Sequence, residues 1–504
     1  MSNRASDQLH RLIKSLSKPE KRYFKVFSSR HVIGDKNNYQ ILFDAIGAQD
    51  EYNEEKILKK FQKEAFTKRF SIAKSRLYTA ILKSLDSYHA NSSIEAQIKR
   101  DIHCAEILYK KGLYDQSAKL LRSIKKVAEK HEKITSLIEI SKWEKQLIEK
   151  DNYQGVSKNE LNDILEKDAQ LSRSLSTYDN YWNIKSRIFE ALFKSGKARS
   201  QKELTQFKDI IDEVVITHAE EDMTAENAYL LNHLYSAYHY GAGDYKSSFP
   251  YIDKSKTLIE ENPHLFKEEP NIYLSVISNL MYVGMQLGKF TEVEGYLNKL
   301  NELPKELMES ATDNQAMRIF VLEMSSRLTL HTIKEEYDKG IELIPQIEDG
   351  IIKYGDKLSA VRRSFFYFNI AVLYFWKGEM NTALKWINQL LNNIDIDDTQ
   401  DIHCMAQIFY LIIHLELGNK SLLPYSLRST KRYLETRNRV YKFEKVLLDF
   451  VNEQLKKRQN KTDAELFSEL STELEVLSKD SFEKPVFEYF NFLKWAKNRA
   501  QVEA

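Results

Sequence analysis

Apolar residues return every three or four positions along most of the chain, and short breaks divide them into helix-length runs. The clearest stretch holds Tyr367, Ile370, Ala371 and Tyr374 on one face, the spacing of a buried helical stripe. Gly378 interrupts it, and Ala383 and Ile387 resume the stripe on a second helix. Small Ala371 and Ala383 let the two helices approach closely, while Tyr367 and Tyr374 fill the flanks. The same break recurs at Gly112-Leu-Tyr114 before Ser117-Ala118, at Gly243-Asp-Tyr245 before Ser248, and at Gly288-Lys-Phe290 before Val293. In each, glycine leaves the first helix in a left-handed conformation and an aromatic two residues on plugs the elbow. Asp151-Asn-Tyr153 and Glu335-Glu-Tyr337 keep the aromatic without the glycine; Gly196 and Gly418 keep the glycine without the aromatic. The elbows at 112, 151, 196, 243, 288, 335, 378 and 418 lie 39 to 47 residues apart.

The unit at Tyr367, Ile370, Ala371, Tyr374, Gly378 and Ala383 resembles the tetratricopeptide repeat, with partial matches at the other elbows. That resemblance implies an all-α fold: a tetratricopeptide-like α-solenoid of antiparallel helix pairs. It also implies a groove on the concave side, at which Asn369 is the matching position and Arg362, two turns earlier, is a neighbour. The interval exceeds the roughly 34 residues of the standard repeat, so helices or linkers are longer here. A single pair is too thin to bury its apolar face, so neighbours must stack.

The ends read differently. Residues 1–92 form a small helical domain of four or five short helices, with Ser17 and Glu20 as a capping box, Asn53 opening a helix, and Thr67 or Ser71 opening a longer one to about His89. Residues 93–460 hold about eight helix pairs. Residues 461–504 form a capping segment in which Pro485 to Trp495 reads as one amphipathic, aromatic-rich helix, a lid for the last apolar face.

Composition supports the helical reading: 15 Gly and 8 Pro in 504 residues leave few tight turns. Net charge is +2, but Met1 to Ala90 carries 18 Lys and Arg against 10 Asp and Glu. On the helix from Thr67, Phe70, Ala73, Leu77, Ile81 and Leu85 form the buried stripe. Arg69, Arg76 and Lys83 make a flanking row seven residues apart, with Lys68 and Lys74 nearby, and such a row offers contacts to phosphates. Two cysteines far apart, Cys104 and Cys404, exclude a disulfide framework and fit a reducing compartment. The first ten residues lack a signal peptide's apolar core, and the longest apolar runs, such as Ile408 to Ile413, are far short of a membrane span. A cytoplasmic protein without membrane insertion is expected.

Catalytic chemistry finds little support. His103-Cys104 and His403-Cys404 both follow Asp-Ile, but adjacent helical residues point about 100° apart and do not chelate one ion. Cys104 falls at a core-facing position. Gly241-Ala-Gly243 lacks the preceding strand and third glycine of a dinucleotide loop, and His131-Glu132 lacks the second histidine of a zinc protease. No metal or cofactor is called for. The aromatic clusters Tyr235/Tyr238/Tyr240 and Phe365 to Phe368 read as inter-helix packing more than as a groove lining. The basic run from Arg428 to Lys445 is interrupted by Glu435 and Glu444, which favours ordinary pairing on helix surfaces. The expectation is a non-enzymatic scaffold or adaptor that takes a protein or peptide on its groove. The alternative is a regulator whose basic head contacts DNA or RNA while the repeats sense a ligand or partner, a layout similar to that of certain bacterial peptide-responsive regulators.

Overall fold

The computed structural model describes residues 7–29, 38–90, 93–150, 152–214, 223–302, 313–392, 401–456 and 461–502. Among them the fold is all-helical, with no strand. The chain divides into two compact units, residues 1–171 and 172–504, and the division falls within one helix.

The first unit opens with α1 (Gln8–Ser15), α2 (Lys18–Ser29), α3 (Asn38–Gly47), α4 (Glu54–Lys60) and α5 (Phe70–His89). The start of α2 is the expected box: the Ser17 amide donates to the Glu20 carboxylate at 2.7 Å and the Glu20 amide to Ser17 Oγ at 3.4 Å. Asn53 Oδ1 accepts from the Lys56 amide at 3.0 Å and starts α4. These helices share a core of their own around Ile13, Phe24, Leu42, Ile46, Leu77 and Ile81. α6 (Ile94–Lys110), α7 (Tyr114–Lys130) and α8 (Ile134–Lys150) build a second core around Ile98, Ile102, Ala105, Leu121 and Ile140. Cys104 is exposed rather than core-facing: Ile98, Ile102 and Ala105 take the buried face, and Cys104 falls off it.

α9 (Lys158–Ser195) is a single helix of 38 residues and bridges the interval between the elbows at 151 and 196. Two helices do not form there because no Gly or Pro interrupts 158–195. Asp151 itself lies outside the described residues. The second unit continues with α10 (Gln201–Ile211), α11 (Ala225–Gly241), α12 (Tyr245–Glu261), α13 (Pro270–Gln286), α14 (Phe290–Glu302), α15 (Asp313–Ile333), α16 (Tyr337–Glu342) and α17 (Ile344–Tyr354). It ends with α18 (Ala360–Trp376), α19 (Met380–Leu391), α20 (Asp401–Glu416), α21 (Leu423–Thr436), α22 (Lys442–Lys456), α23 (Asp463–Leu477) and α24 (Phe492–Val502).

Six elbows share one geometry. Gly112, Gly243, Gly288, Glu335, Gly378 and Gly418 have φ of 76°, 74°, 73°, 60°, 79° and 66°. After each, the next amide donates to the carbonyl five residues back: Leu113 to Leu108, Asp244 to His239, Lys289 to Gly284, Glu336 to His331, Glu379 to Tyr374 and Asn419 to His414, at 2.8 to 3.1 Å. This is the Schellman closure, which satisfies carbonyls a helix end leaves open. Five residues past the elbow, Ser117, Ser248, Val293, Gly340, Ala383 and Leu423 are all buried. Where that residue is serine, its hydroxyl donates to the carbonyl twelve residues back: Ser117 to Ala105 at 2.8 Å and Ser248 to Ser236 at 2.9 Å. Helices joined by an elbow pack on each other, and the first helices also pack in succession, α13 on α15, α15 on α18, α18 on α20 and α20 on α22.

The C-terminal segment departs from the expected single helix. Lys484–Glu488 is a short 3-10 turn, and α24 starts only at Phe492, where Asn491 Oδ1 accepts from the Lys494 amide at 3.0 Å. The reason is tertiary: the side chains of Glu483, Glu488, Tyr489 and Phe490 are drawn to different partners, and one helical face does not present all four. Among the described residues, no helix is long and apolar enough to cross a membrane.

Candidate binding cavity and its buried ion network

The first helices of five consecutive pairs in the second unit face a common cavity of about 680 Å³. Tyr240 comes from α11, Tyr282 and Gln286 from α13, Thr329 from α15, Phe365 and Phe368 from α18, and Met405 from α20. Arg362 and Asn369, the groove candidates read from the sequence, both line it. Asn369 is half-buried, and its amide donates to the Phe365 carbonyl at 2.8 Å. The Arg362 side chain is exposed at the rim; partial withdrawal from water and the neighbouring Arg318 both work against its charge. The aromatic clusters divide between roles: Phe366 is fully buried and Tyr235 stacks on Tyr251, whereas Phe365, Phe368 and Tyr240 line the cavity.

One wall is the loop between α9 and α10. Gly196 sits there at φ 70°, and a Cβ on it would overlap the Asp401 carboxylate, so both backbone and space require glycine. Lys197 pairs with Glu488, which also accepts from the hydroxyls of Tyr245 at 2.6 Å and Tyr282 at 2.7 Å. The ammonium lies 5.0 Å from the rings of Tyr240 and Tyr245 and 5.4 Å from that of Tyr282. Burial alone would discharge Lys197; Tyr240, Glu488 and Tyr245 outweigh it and hold the ammonium well above its ordinary range.

Arg199 forms a fork on Glu444, donates to Glu483 at 2.6 Å, and stacks 4.2 Å over Tyr441. Glu483 in turn accepts from the amides of Lys442 and Phe443 at 3.2 Å, at the positive N-terminal end of α22. Arg439 pairs with Asp401 at 2.9 Å and also donates to the Lys194 carbonyl at 3.3 Å. Side-chain exposure of 8%, 1% and 2% for Arg199, Glu444 and Glu483 makes this triad part of the interior. Such a network adds little net stability over apolar packing, but it specifies one arrangement, because a missing partner strands a buried charge. The Cys404 thiol, beside the network, is pushed up to about 12 by burial and is inert as a nucleophile.

None of Lys197, Arg199, Glu444, Glu483 and Glu488 was marked by a local motif. Their one signal is charge inside apolar or aromatic stretches, as with Glu488 among Phe487, Tyr489 and Phe490. In the Asp-Ile-His-Cys stretch the residue that matters is Asp401. His403 bonds Tyr433 Oη at 2.7 Å, and among the described residues no cluster of three His, Cys, Asp or Glu is placed to hold a metal. The basic run near 430 is largely engaged: Lys431 lies 3.9 Å from Glu435 and Lys442 2.9 Å from Asp480, while Glu444 turns inward to Arg199.

An aromatic strip leads to the cavity. Trp182, Phe189 and Phe193 lie on one face of α9 and are 48%, 40% and 57% exposed. Eleven residues of helix make this strip about 16 Å long, and Phe193 ends it in the cavity wall. Beneath it, the Phe189 ring meets His233 edge-on at 5.1 Å, and the His233 Nδ1 has no hydrogen-bond partner among the described residues. Burial, with the charge of Lys185, holds this imidazole down at about 4. The unfolded chain therefore takes up a proton at His233 first on acidification. Its contribution to stability is complete above about pH 6.5 and is lost as pH falls toward 4, about 2 kcal/mol between pH 7 and pH 5. Urea unfolding of His233→Phe at those two values is expected to show a drop smaller by that amount; an unchanged drop would refute the assignment.

In the first unit, Lys68, Arg69, Arg76 and Lys83 are exposed, and among the described residues none has a carboxylate partner. Lys74 differs: it pairs with Glu54 at 2.5 Å and lies over the rings of Phe70 and Tyr52, which turns it away from the exposed row. Ile72 and Leu82, 48% and 44% exposed, share that outer face.

No protein-family model matches the chain, and no curated protein matches it.

Proposed function

We propose that the protein is a non-enzymatic, cytoplasmic binding protein of the tetratricopeptide-like α-solenoid kind, which takes a protein or peptide segment along the strip and cavity of its second unit. The observation that carries this reading is that first helices of five successive pairs converge on one cavity, with exposed Trp182, Phe189 and Phe193 aligned toward it. Stacked pairs present long surfaces of this form, and exposed aromatics in line are what an apolar segment docks against. A second reading rests on the exposed cations of α5 and the turn before it, which have no carboxylate partner among the described residues: a nucleic-acid contact through the first unit.

One experiment addresses both. Full-length protein, Trp182→Asp/Phe193→Asp and an outer-surface control, Val476→Asp, are each used to capture partners from cell extract with and without nuclease. Partners held by wild type and the control but reduced about ten-fold or more by the double variant support the segment-binding reading; an identical set from all three sinks it. Material lost on nuclease treatment and on Arg69→Glu/Arg76→Glu, but not with the double variant, favours the second reading instead.

A further inference from the structure

Of the charged residues that line the cavity, one cation is left without a carboxylate. Its cations are Lys197, Arg199, Arg439 and Arg362; its carboxylates are Asp401, Glu444 and Glu488. Each carboxylate is occupied: Glu488 by Lys197, Glu444 by Arg199 and Asp401 by Arg439. Arg362 is left over. Among the described residues it has no carboxylate partner, and the nearest help is of the wrong sign, since Arg318 on the adjacent α15 is close enough to disfavour its charge. Arg318 is exposed and also lacks an acidic partner among the described residues. The rest of the wall is mainly apolar and includes Leu192, Phe193, Phe365 and Met405.

A volume of about 680 Å³ falls within the roughly 300–1,000 Å³ of small-molecule sites, which combine an apolar lining with a few placed polar groups. We infer that the cavity binds a small amphiphile with an elongated apolar body and one anionic head, of the acyl-carboxylate type. The body lies among Phe193, Phe365 and Met405, and the head is held by Arg362. An anion there relieves the repulsion between the two guanidinium groups and gives Arg362 the carboxylate it lacks among the described residues. The cavity is the one in which the aromatic strip ends, and Phe193 belongs to both; the inference rests on that cavity as a binding site, and titration with a small molecule tests it apart from any segment on the strip.

The test is calorimetric titration of the full chain with dodecanoate and, as the uncharged isostere, dodecanol. Dodecanoate is expected to bind with one-to-one stoichiometry and more tightly than dodecanol. Arg362→Ala is expected to weaken dodecanoate by about ten-fold or more and leave dodecanol within about two-fold, the loss of one charge-assisted bond. Arg362→Lys restores part of it. Arg362 is exposed, so neither variant removes a core contact, and matched unfolding curves confirm the fold. Equal binding of acid and alcohol, indifference of dodecanoate to Arg362→Ala, or no stoichiometric binding each overturns the inference.

Discussion

Arg199→Met is expected to destabilise the second unit by about 3–5 kcal/mol, read by urea unfolding followed through tryptophan fluorescence. Methionine replaces the aliphatic stem, so the packing loss is small. What disappears is the counter-charge of Glu444 and Glu483, two carboxylates 1% and 2% exposed. Glu483 keeps the amides of Lys442 and Phe443, and Glu444 keeps the Tyr441 amide at 3.1 Å, but neither set removes a full negative charge from the interior. Replacing all three groups together, Arg199→Met/Glu444→Leu/Glu483→Leu, is expected to recover most of the loss, since no stranded ion remains. A single variant that unfolds at the same urea concentration as wild type would show that water reaches the triad and that its burial is not as described.

Phe490→Ala is expected to cost a further 3–5 kcal/mol by a different mechanism, the cavity left by an aromatic ring, at about the upper range for core truncations. Phe490 is 2% exposed, and its ring centroid lies 4.9 to 5.1 Å from those of Phe375, Trp376, Phe409 and Phe492. These rings belong to three helices, so collapse from one side does not fill the space. The loss also loosens Glu488, two residues away, from Lys197. Phe193→Ala is the matched comparison: at 57% exposure it is expected to change stability by less than about 0.5 kcal/mol. Similar midpoints for the two variants would contradict the packing described around Phe490.

Much of the helical framework was legible because it is written locally. Gly112, Gly243, Gly288 and Gly378 mark elbows through a backbone conformation that side chains disfavour, and Ser17 and Asn53 mark helix starts through bonds to residues three positions on. Asn369 and Arg362, marked through the resemblance to the tetratricopeptide repeat, both line the cavity. What failed had no local signature. The 38-residue α9 runs through an interval that spacing alone divides into two helices. Pro485 to Trp495 has helical periodicity, but Lys484–Glu488 closes as a 3-10 turn and α24 starts only at Phe492, with Glu488 held by Lys197 and Phe490 by Phe375, Trp376 and Phe409. Cys104 sits one position away from the buried stripe that Ile102 and Ala105 define. The ion network joins residues more than two hundred positions apart, a distance at which neither periodicity nor capping carries information.

That separation has a consequence for synthesis. Lys197 leaves the ribosome 291 residues ahead of Glu488, which at about 5–20 residues per second is a delay on the order of 15–60 s. During it the loop at 196–199 carries two cations whose carboxylates from the C-terminal segment do not yet exist, so helices that close pair by pair still await the last of the chain before that wall is electrically complete. A nascent chain stalled before Glu483 holds every elbow and lacks the carboxylates that neutralise the loop at 196–199.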